Sequence, residues 1–137
     1  MLDQHEIQIR VRYAETDAMG FLHHANYFVY FELGRTELLR AQGGNYREME
    51  EQGLFMVVVS LECKFRSPAR YDDLLTLRTR IAKVSAAKME HAYQVYRGDT
   101  LLTEARSVLA CIDRAGNIQR IPDAIHPEFL SGANSRE

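Results

Sequence analysis

This sequence has few cysteines, no membrane-spanning segment and little net charge. Its two cysteines, Cys63 and Cys111, lie in strand-like contexts and form no Cys-x-x-Cys pair, so no zinc site is predicted. Residues 1–6 lack a signal-peptide core, and without secretion two buried free thiols are expected. No apolar run approaches the roughly 20 residues that span a bilayer. The net charge of −2 argues against a general nucleic-acid binder. We therefore expect a cytoplasmic protein without a metal.

Three common catalytic signatures are also missing. No Gly-x-Ser-x-Gly elbow supports a serine hydrolase of the α/β type. No glycine-rich phosphate loop ending in Lys-Ser or Lys-Thr is present, and no dinucleotide fingerprint follows a strand. The chemistry, if there is any, is therefore expected to come from the side chains and backbone of this chain, without a cofactor.

The length and composition fit one globular domain over residues 1–137. Of the 137 residues, 46% are hydrophobic and 26% are charged, which is ordinary for a chain that buries a core. We expect the folded core over about residues 7–122. A short helix is predicted around residues 126–130, and the polar tail at 131–137 is expected to fray.

Hydrophobic periodicity predicts the order of the elements. Residues 7–13 alternate apolar and polar side chains, which predicts a half-buried strand. Residues 25–42 predict a long helix whose first half is apolar nearly all round and therefore buried. Asn45 is predicted to cap a short helix that ends at Gly53. Further strands are predicted at 55–65, 74–84, 88–97 and 101–113. Within the first of these, apolar residues 56–59 indicate a central position in the sheet.

This order predicts an α+β architecture. One buried helix would pack against a mostly antiparallel sheet of five strands, most of them joined by hairpins. A single helix cannot cover both faces of such a sheet, so part of its surface or one edge remains to be buried. A homodimer is the physical expectation.

The loop before the long helix carries the strongest functional signal. Asp17 lies just ahead of a helix N-terminus, where backbone N–H groups lack partners and can stabilise an oxyanion. Most such loop aspartates only cap a turn, which is the alternative interpretation. Tyr13, predicted at the end of the first strand, can orient Asp17 or a water molecule. His24 can donate a proton to a departing group.

The residues around this loop closely resemble one enzyme family. The motifs are YAETDAMG at 13–20, HANY at 24–27, FE at 31–32 and RTE at 35–37. They resemble the hotdog-fold acyl-CoA thioesterases, most closely the 4-hydroxybenzoyl-CoA thioesterase class and within it the bacterial Tol–Pal-associated acyl-CoA thioesterases. The similarity extends from about residue 7 to residue 122.

The resemblance implies a hotdog fold, in which a five-stranded antiparallel sheet wraps around one long central helix. It implies dimers with paired active sites at the interface, often assembled into tetramers. By position, Asp17 corresponds to the family's catalytic Asp, and Tyr13 and His24 correspond to its supporting Tyr and His. The backbone N–H at His24, or next to it, corresponds to the donor to the thioester oxygen. The implied substrate is an acyl-CoA, or alternatively an acyl-carrier protein.

Substrate contacts are expected at six further positions: Gly20, Ala25, Val59, Arg66, Ser85 and Lys88. Basic side chains that can meet the CoA phosphates follow the helix, namely Arg66, Arg70, Arg80, Lys83 and Lys88. The alternative for each is an ordinary solvated charge. The basic cluster that some resembling enzymes carry is thin here, because residues 85–87 are small. The valines at 57–59 can line an acyl pocket or simply fill the core.

Two other functions stay open at this point. A hydratase or dehydratase acting on acyl thioesters would pair a His base with a helical acid, which His24 and Glu32 imitate. The alternative for Glu32 is a pair with Arg35 or Thr36 along the helix. A non-enzymatic acyl-thioester-binding protein would not require a poised carboxylate. A metal site at the adjacent His23 and His24 is not expected, because neighbouring helical side chains point in different directions.

Overall fold

The computed structural model describes residues 3–123 and arranges them as one sheet with a long helix and a short helix on it. The predicted α+β architecture is confirmed, and the long helix begins and ends within one residue of its predicted bounds. In chain order the elements are β1 (Gln4–Arg10), a 3₁₀ turn (Tyr13–Glu15), α1 (His24–Ala41), α2 (Tyr46–Glu51), β2 (Leu54–Phe65), β3 (Leu74–Val84), β4 (Lys88–Arg97) and β5 (Thr100–Asp113).

All neighbouring strands of the five-stranded sheet are antiparallel, in the order β1-β3-β4-β5-β2. The register places Leu77 of β3 opposite Ile7 of β1 and Val95 of β4. Because side chains alternate between the faces of a strand, these apolar residues lie on the same face. That face is the one that α1 covers.

The core lies between α1 and this face of the sheet. Tyr27, Tyr30 and Phe31 of α1 are buried against Leu75 and Leu77 of β3, with other residues of the same cluster. Removing each large apolar side chain from water contributes about 1.5–3 kcal/mol, so this seam fixes the position of α1 on the sheet.

The first strand does not reach the predicted residue 13. β1 ends at Arg10, where its partner β3 begins at Leu74 and the ladder has no further residue to pair with. The chain then tightens, with Glu15 N–H donating to Arg12 O over 3.0 Å, which makes a 3₁₀ turn. The prediction that Tyr13 ends the strand is therefore wrong, because it begins this turn.

The apolar run 56–59 does not mark a central strand, since β2 lies at the edge of the sheet. Val58 and Val59 are 49% and 53% exposed, and the register shifts between Val58 and Ser60. A bulge of this kind breaks the alternation of side chains between the two faces of the strand. Some side chains of the apolar run therefore face the core and others are exposed at the edge of the sheet. Met56 packs against the core cluster.

The first half of α1 is buried on one face only. Phe28, Val29 and Leu33 are 39%, 51% and 45% exposed, although the sequence predicted burial nearly all round. Val58 and Val59 of the edge strand are exposed as well. A cluster of exposed apolar side chains on a small protein commonly marks a site of association.

Two smaller predictions concern the ends of elements. Asn45 caps α2, since its side chain accepts from Arg47 N–H over 2.7 Å, as predicted. The predicted short helix at 126–130 and the polar tail at 131–137 lie outside the described residues. Within residues 3–123, no helix combines the length and apolarity needed to cross a membrane.

Candidate active site

A short hairpin over residues 15–23, here called the Asp17 hairpin, joins the 3₁₀ turn to α1. Its two arms pair through His23 N–H donating to Glu15 O over 2.9 Å and Asp17 N–H donating to Phe21 O over 2.8 Å. The hairpin returns the chain directly to the N-terminus of α1. Asp17 therefore lies two residues along the hairpin from the Glu15–His23 pair, at which α1 begins.

The Asp17 carboxylate is anchored through one oxygen. Its Oδ1 accepts from Met19 N–H over 2.9 Å and from Phe21 N–H over 3.2 Å. Gly20 closes the turn at φ +81°, a conformation that favours glycine, and its N–H donates to Asp17 O. The turn-capping interpretation is thus correct. The second oxygen, Oδ2, makes no hydrogen bond within residues 3–123, so it is available to a water molecule or a carbonyl carbon.

The N-terminus of α1 offers a backbone donor beside this hairpin. His23 caps the helix, its Nδ1 accepting from Ala25 N–H over 3.1 Å. No acceptor for the His24 N–H lies within the described chain, and the first turn contains no acidic residue. The partial positive charge of the helix end is therefore not neutralised locally. The sequence predicted a donor at His24 or next to it; the structure leaves the His24 N–H without an acceptor, and the cap uses the Ala25 N–H.

The sequence predicted that the side chains of His23 and His24 point in different directions, as those of neighbouring helical residues do. The structure differs, because the two rings lie together. His23 lies outside the helix as its cap, and the His23 and His24 rings stack with centroids 4.3 Å apart. The His23 Nδ1 is used by the cap. No group of three or more His, Cys, Asp or Glu side chains suited to a metal is found within the described chain.

Tyr13 lies beside the Asp17 hairpin but does not hydrogen-bond to Asp17. Its ring packs edge-on against Tyr71, with centroids 5.5 Å apart, and it is 77% exposed. Its main-chain oxygen accepts from Thr16 N–H and Oγ1. The role predicted for its hydroxyl, which is to orient Asp17 or a water molecule, stays a prediction.

Sequence reasoning missed the buried carboxylate of Glu15, which is only 7% exposed. Its Oε1 accepts from Arg12 N–H and from the Tyr30 hydroxyl, each over 2.8 Å, and its Oε2 accepts from the Arg12 guanidinium. Burial acts to raise the pKa of Glu15, but these hydrogen bonds outweigh it and lower the pKa. A charged residue in a loop motif gives no sign of burial, so only the fold reveals it.

The loop after β2 lies against the Asp17 hairpin. Leu22 N–H donates to Ala69 O over 2.8 Å, and the Arg70 guanidinium lies 5.0 Å from the centre of the Phe21 ring. This brings Arg66 and Arg70 to the Asp17 end of the sheet. Arg66 is paired with Glu104, at 3.1 Å between Nη2 and Oε1.

The structure does not bring Ser85 and Lys88 to Asp17 within one chain. Ser85 lies in the β3–β4 turn and Lys88 begins β4, and the Ser85 N–H donates to Lys88 O over 2.8 Å. β3 begins near the Asp17 hairpin and ends at this turn, so at about 3.3 Å per residue the two ends are roughly 30 Å apart. Val59 lies on the exposed edge strand. Within one chain the contacts predicted at Ser85 and Lys88 therefore do not reach Asp17, and the contact predicted at Val59 stays a prediction.

A groove of about 360 Å³ crosses the outer face of the sheet, away from α1. Arg78, Arg80 and Arg106 line it with other residues, whereas Tyr13, Asp17 and His24 do not belong to the lining. Arg78 and Arg106 are paired with Glu6 and Glu90. Arg80, predicted as a phosphate contact, therefore lies on the face opposite the one that α1 covers.

Glu32, the rival carboxylate, is exposed on α1. The alternative of a pair with Arg35 or Thr36 is not observed: Arg35 donates to the Tyr93 hydroxyl over 3.0 Å, and Glu32 makes no hydrogen bond to Thr36 within residues 3–123. His24 and Glu32 lie eight residues apart, which is about 12 Å along the helix at 1.5 Å per residue. No contact between the His24 and Glu32 side chains is found within residues 3–123.

Comparison with known proteins gives the class of this fold and site. The sequence-family model of the thioesterase superfamily matches residues 19–104, and the chain belongs to that superfamily. It is 31% identical over 123 residues to the acyl-CoA thioester hydrolase YbgC of Escherichia coli, covering 88% of this chain and 92% of that one. It is 36% identical over 106 residues to the acyl-CoA thioesterase YbgC of Haemophilus influenzae, covering 77% and 78%.

A solved structure confirms the predicted hotdog fold. The crystal structure of a probable thioesterase from Bartonella henselae superposes with a TM-score of 0.83 at 36% identity, covering 87% of this chain and 99% of that chain. The Asp17 hairpin and the N-terminus of α1 thus lie in a chain that has the fold of a thioesterase.

Proposed function

We propose that this protein hydrolyses acyl-CoA thioesters, with Asp17 as the catalytic carboxylate and the N-terminus of α1 as the oxyanion site. One observation carries the proposal. The Asp17 hairpin holds a carboxylate with one anchored and one open oxygen beside a helix end whose His24 N–H is open. The similarity to acyl-CoA thioester hydrolases supports the choice of substrate.

The thioester carbonyl oxygen would accept from the His24 N–H at the positive end of α1. Negative charge develops on that oxygen when the carbonyl carbon is attacked, and one such donor is typically worth about 2.7–4 kcal/mol. The tetrahedral intermediate then collapses with breakage of the carbon–sulfur bond. The CoA thiolate leaves and takes a proton, which the exposed His24 side chain is placed to supply.

Asp17 can act in two ways at its open oxygen. As a general base, it removes a proton from water, and the hydroxide attacks the carbonyl carbon. As a nucleophile, its Oδ2 attacks directly to give a mixed anhydride, which water then hydrolyses to the free acid. In both cases the hydrogen bonds to Oδ1 hold the carboxylate still while Oδ2 reacts.

A panel of acyl-CoAs tests the proposal, with released thiol followed by a chromogenic disulfide and the acyl product by mass spectrometry. We expect thiol release with the acyl chain otherwise unchanged. A change in acyl unsaturation without thiol release would instead support the hydratase alternative, and tight binding without turnover would support a non-enzymatic binder. The same panel with acyl-carrier protein as the carrier tests that alternative substrate.

We further propose that the active form is a homodimer, with tetramers as a higher assembly. The exposed apolar residues Phe28, Val29 and Leu33 of α1 and Val58 and Val59 of the edge strand would be buried between protomers. Ser85 and Lys88 of one protomer would then serve the Asp17 of its partner. The cytoplasmic location stays a prediction.

Mixed dimers test this sharing of sites. An Asp17→Asn chain and a Lys88→Ala chain, carrying different affinity tags, are co-expressed and their mixed dimer is isolated. One of its two sites lacks both residues and the other has both. We expect the mixed dimer to reach about half of the wild-type kcat/KM at low acyl-CoA concentration, well above either parent dimer.

The two parent dimers and a reconstituted wild-type dimer with the same pair of tags are the controls. Activity of the mixed dimer equal to the mean of its parents would place Lys88 in the site of its own chain. A Lys88→Ala dimer with unchanged KM would remove Lys88 from substrate binding altogether.

A further inference from the structure

Residue Glu15 is the point where the 3₁₀ turn, the Asp17 hairpin and α1 are tied together. Its main-chain oxygen accepts from His23 N–H over 2.9 Å and from Asn26 Nδ2 over 3.0 Å. Its carboxylate accepts from the Tyr30 hydroxyl over 2.8 Å. Asn26 and Tyr30 lie four residues apart, so they share one face of α1, and His23 is its N-cap. Two turns of α1 are thereby fixed to a single loop residue.

The two groups of the proposed site lie immediately beside these contacts. Asp17 follows Glu15 by two residues on the same arm of the hairpin, and His24 follows the His23 that binds Glu15. The separation between the Asp17 carboxylate and the His24 N–H therefore depends on the seating of Glu15 against α1. A misplacement of about 1 Å in such a pair can cost about a hundredfold in rate.

The electrostatics of Glu15 fit a structural acceptor. The hydrogen bonds from Arg12 and Tyr30 lower the pKa of Glu15 despite its burial, so the carboxylate is ionised at neutral pH. The pKa of the Tyr30 hydroxyl is raised by burial and by Glu15, so this hydroxyl stays protonated and continues to donate. Both oxygens of Glu15 are occupied, which leaves it no role in proton transfer with a substrate.

We propose that Glu15 is a positioning residue, whose contact with Tyr30 and with the first turn of α1 sets the distance between the Asp17 carboxylate and the His24 N–H. This inference rests on the proposed thioester hydrolysis. Glu15 acts through the hairpin and does not touch the reacting atoms.

Three variants change this contact by different amounts. Tyr30→Phe removes one hydroxyl and keeps the buried ring. Glu15→Ala removes every carboxylate contact, whereas Glu15→Gln keeps an amide oxygen that can accept from Arg12 N–H and Tyr30. The matched control is Tyr93→Phe, which also deletes a buried tyrosine hydroxyl, but one bonded to Ser107 and Arg35 away from the hairpin.

Steady-state kinetics separate positioning from general loss of structure. We expect Tyr30→Phe to lower kcat about tenfold and Glu15→Ala to lower it further, with KM changed less than about twofold, because the misplacement matters chiefly in the transition state. Glu15→Gln should recover most of kcat. Tyr93→Phe should lose stability but keep kcat when corrected for folded protein.

Amide hydrogen exchange gives a readout that does not depend on activity. The main-chain amides of His23 and Asn26 should exchange faster in Tyr30→Phe and Glu15→Ala than in the wild type. In Tyr93→Phe their exchange rates should equal those of the wild type. Unchanged exchange in Tyr30→Phe, unchanged kcat, or an equal fall of kcat in Tyr93→Phe would each overturn the role of Glu15. A wild-type protein that releases no thiol would instead overturn the proposed function, and exchange alone would then decide whether Glu15 holds this segment.

Discussion

Replacing Asp17 with asparagine should lower kcat for thiol release by about two to four orders of magnitude, the range typical of a lost acid–base group. An asparagine Oδ1 still accepts from Met19 and Phe21 N–H, so the turn keeps its geometry. The amide group that replaces Oδ2 can neither take a proton from water nor attack a carbonyl carbon. The loss should therefore fall on kcat, with KM and the unfolding temperature close to the wild-type values.

The matched control is Asp99→Asn, the same chemical change at an exposed aspartate in the β4–β5 turn. It should retain wild-type kcat and KM. Turnover by Asp17→Asn within about threefold of the wild type would exclude Asp17 from the mechanism, because an amide cannot replace either proposed role. Trapping of a labelled acyl group on the wild-type protein, and its absence in the variant, would distinguish the nucleophile from the base.

The strands and the long helix were predictable because their signals are local. Periodicity alone located β3, β4 and α1 to within one residue. The position of β2 at the edge was not predictable in this way, since residues 56–59 are equally apolar in a buried strand and in an edge strand that awaits a partner. For the same reason the sequence did not predict that one face of α1 is exposed. A sequence signals that a residue is apolar, not whether its own chain or another chain covers it.

In the candidate site, too, the features that are local in sequence could be predicted and those that depend on tertiary contacts could not. The motif around Asp17 and the helix that follows it are contiguous in sequence, so their proximity could be predicted. The cap by His23, which decides that His24 N–H rather than Ala25 N–H is open, depends on the rotamer of one side chain. The burial of Glu15 depends on Tyr30, two turns into α1, and no local pattern indicates it.

Gly34 is the position where a single methyl group should cost the most stability. It faces β3, and a Cβ there would overlap Thr79 Oγ1 and lie 2.9 Å from Leu77 Cδ2. Alanine improves helix propensity by about 1 kcal/mol, while overpacking a core typically costs about 1–3 kcal/mol. We expect the overlap to dominate, so that Gly34→Ala lowers the free energy of unfolding by up to about 2 kcal/mol. Chemical denaturation at fixed protein concentration measures it.

Changing Thr79 separates the effect of the steric overlap at position 34 from the effect of helix propensity. The Thr79 hydroxyl has no hydrogen-bond partner within residues 3–123, so Thr79→Ala alone should cost little. It also removes the atom that the new methyl group would overlap. Gly34→Ala should therefore be much less harmful in the Thr79→Ala background, with a coupling energy of about 0.5–3 kcal/mol. Additive effects of the two changes, or a Gly34→Ala protein as stable as the wild type, would show that α1 can move away from β3. The close approach of helix and sheet would then not be what requires glycine at position 34.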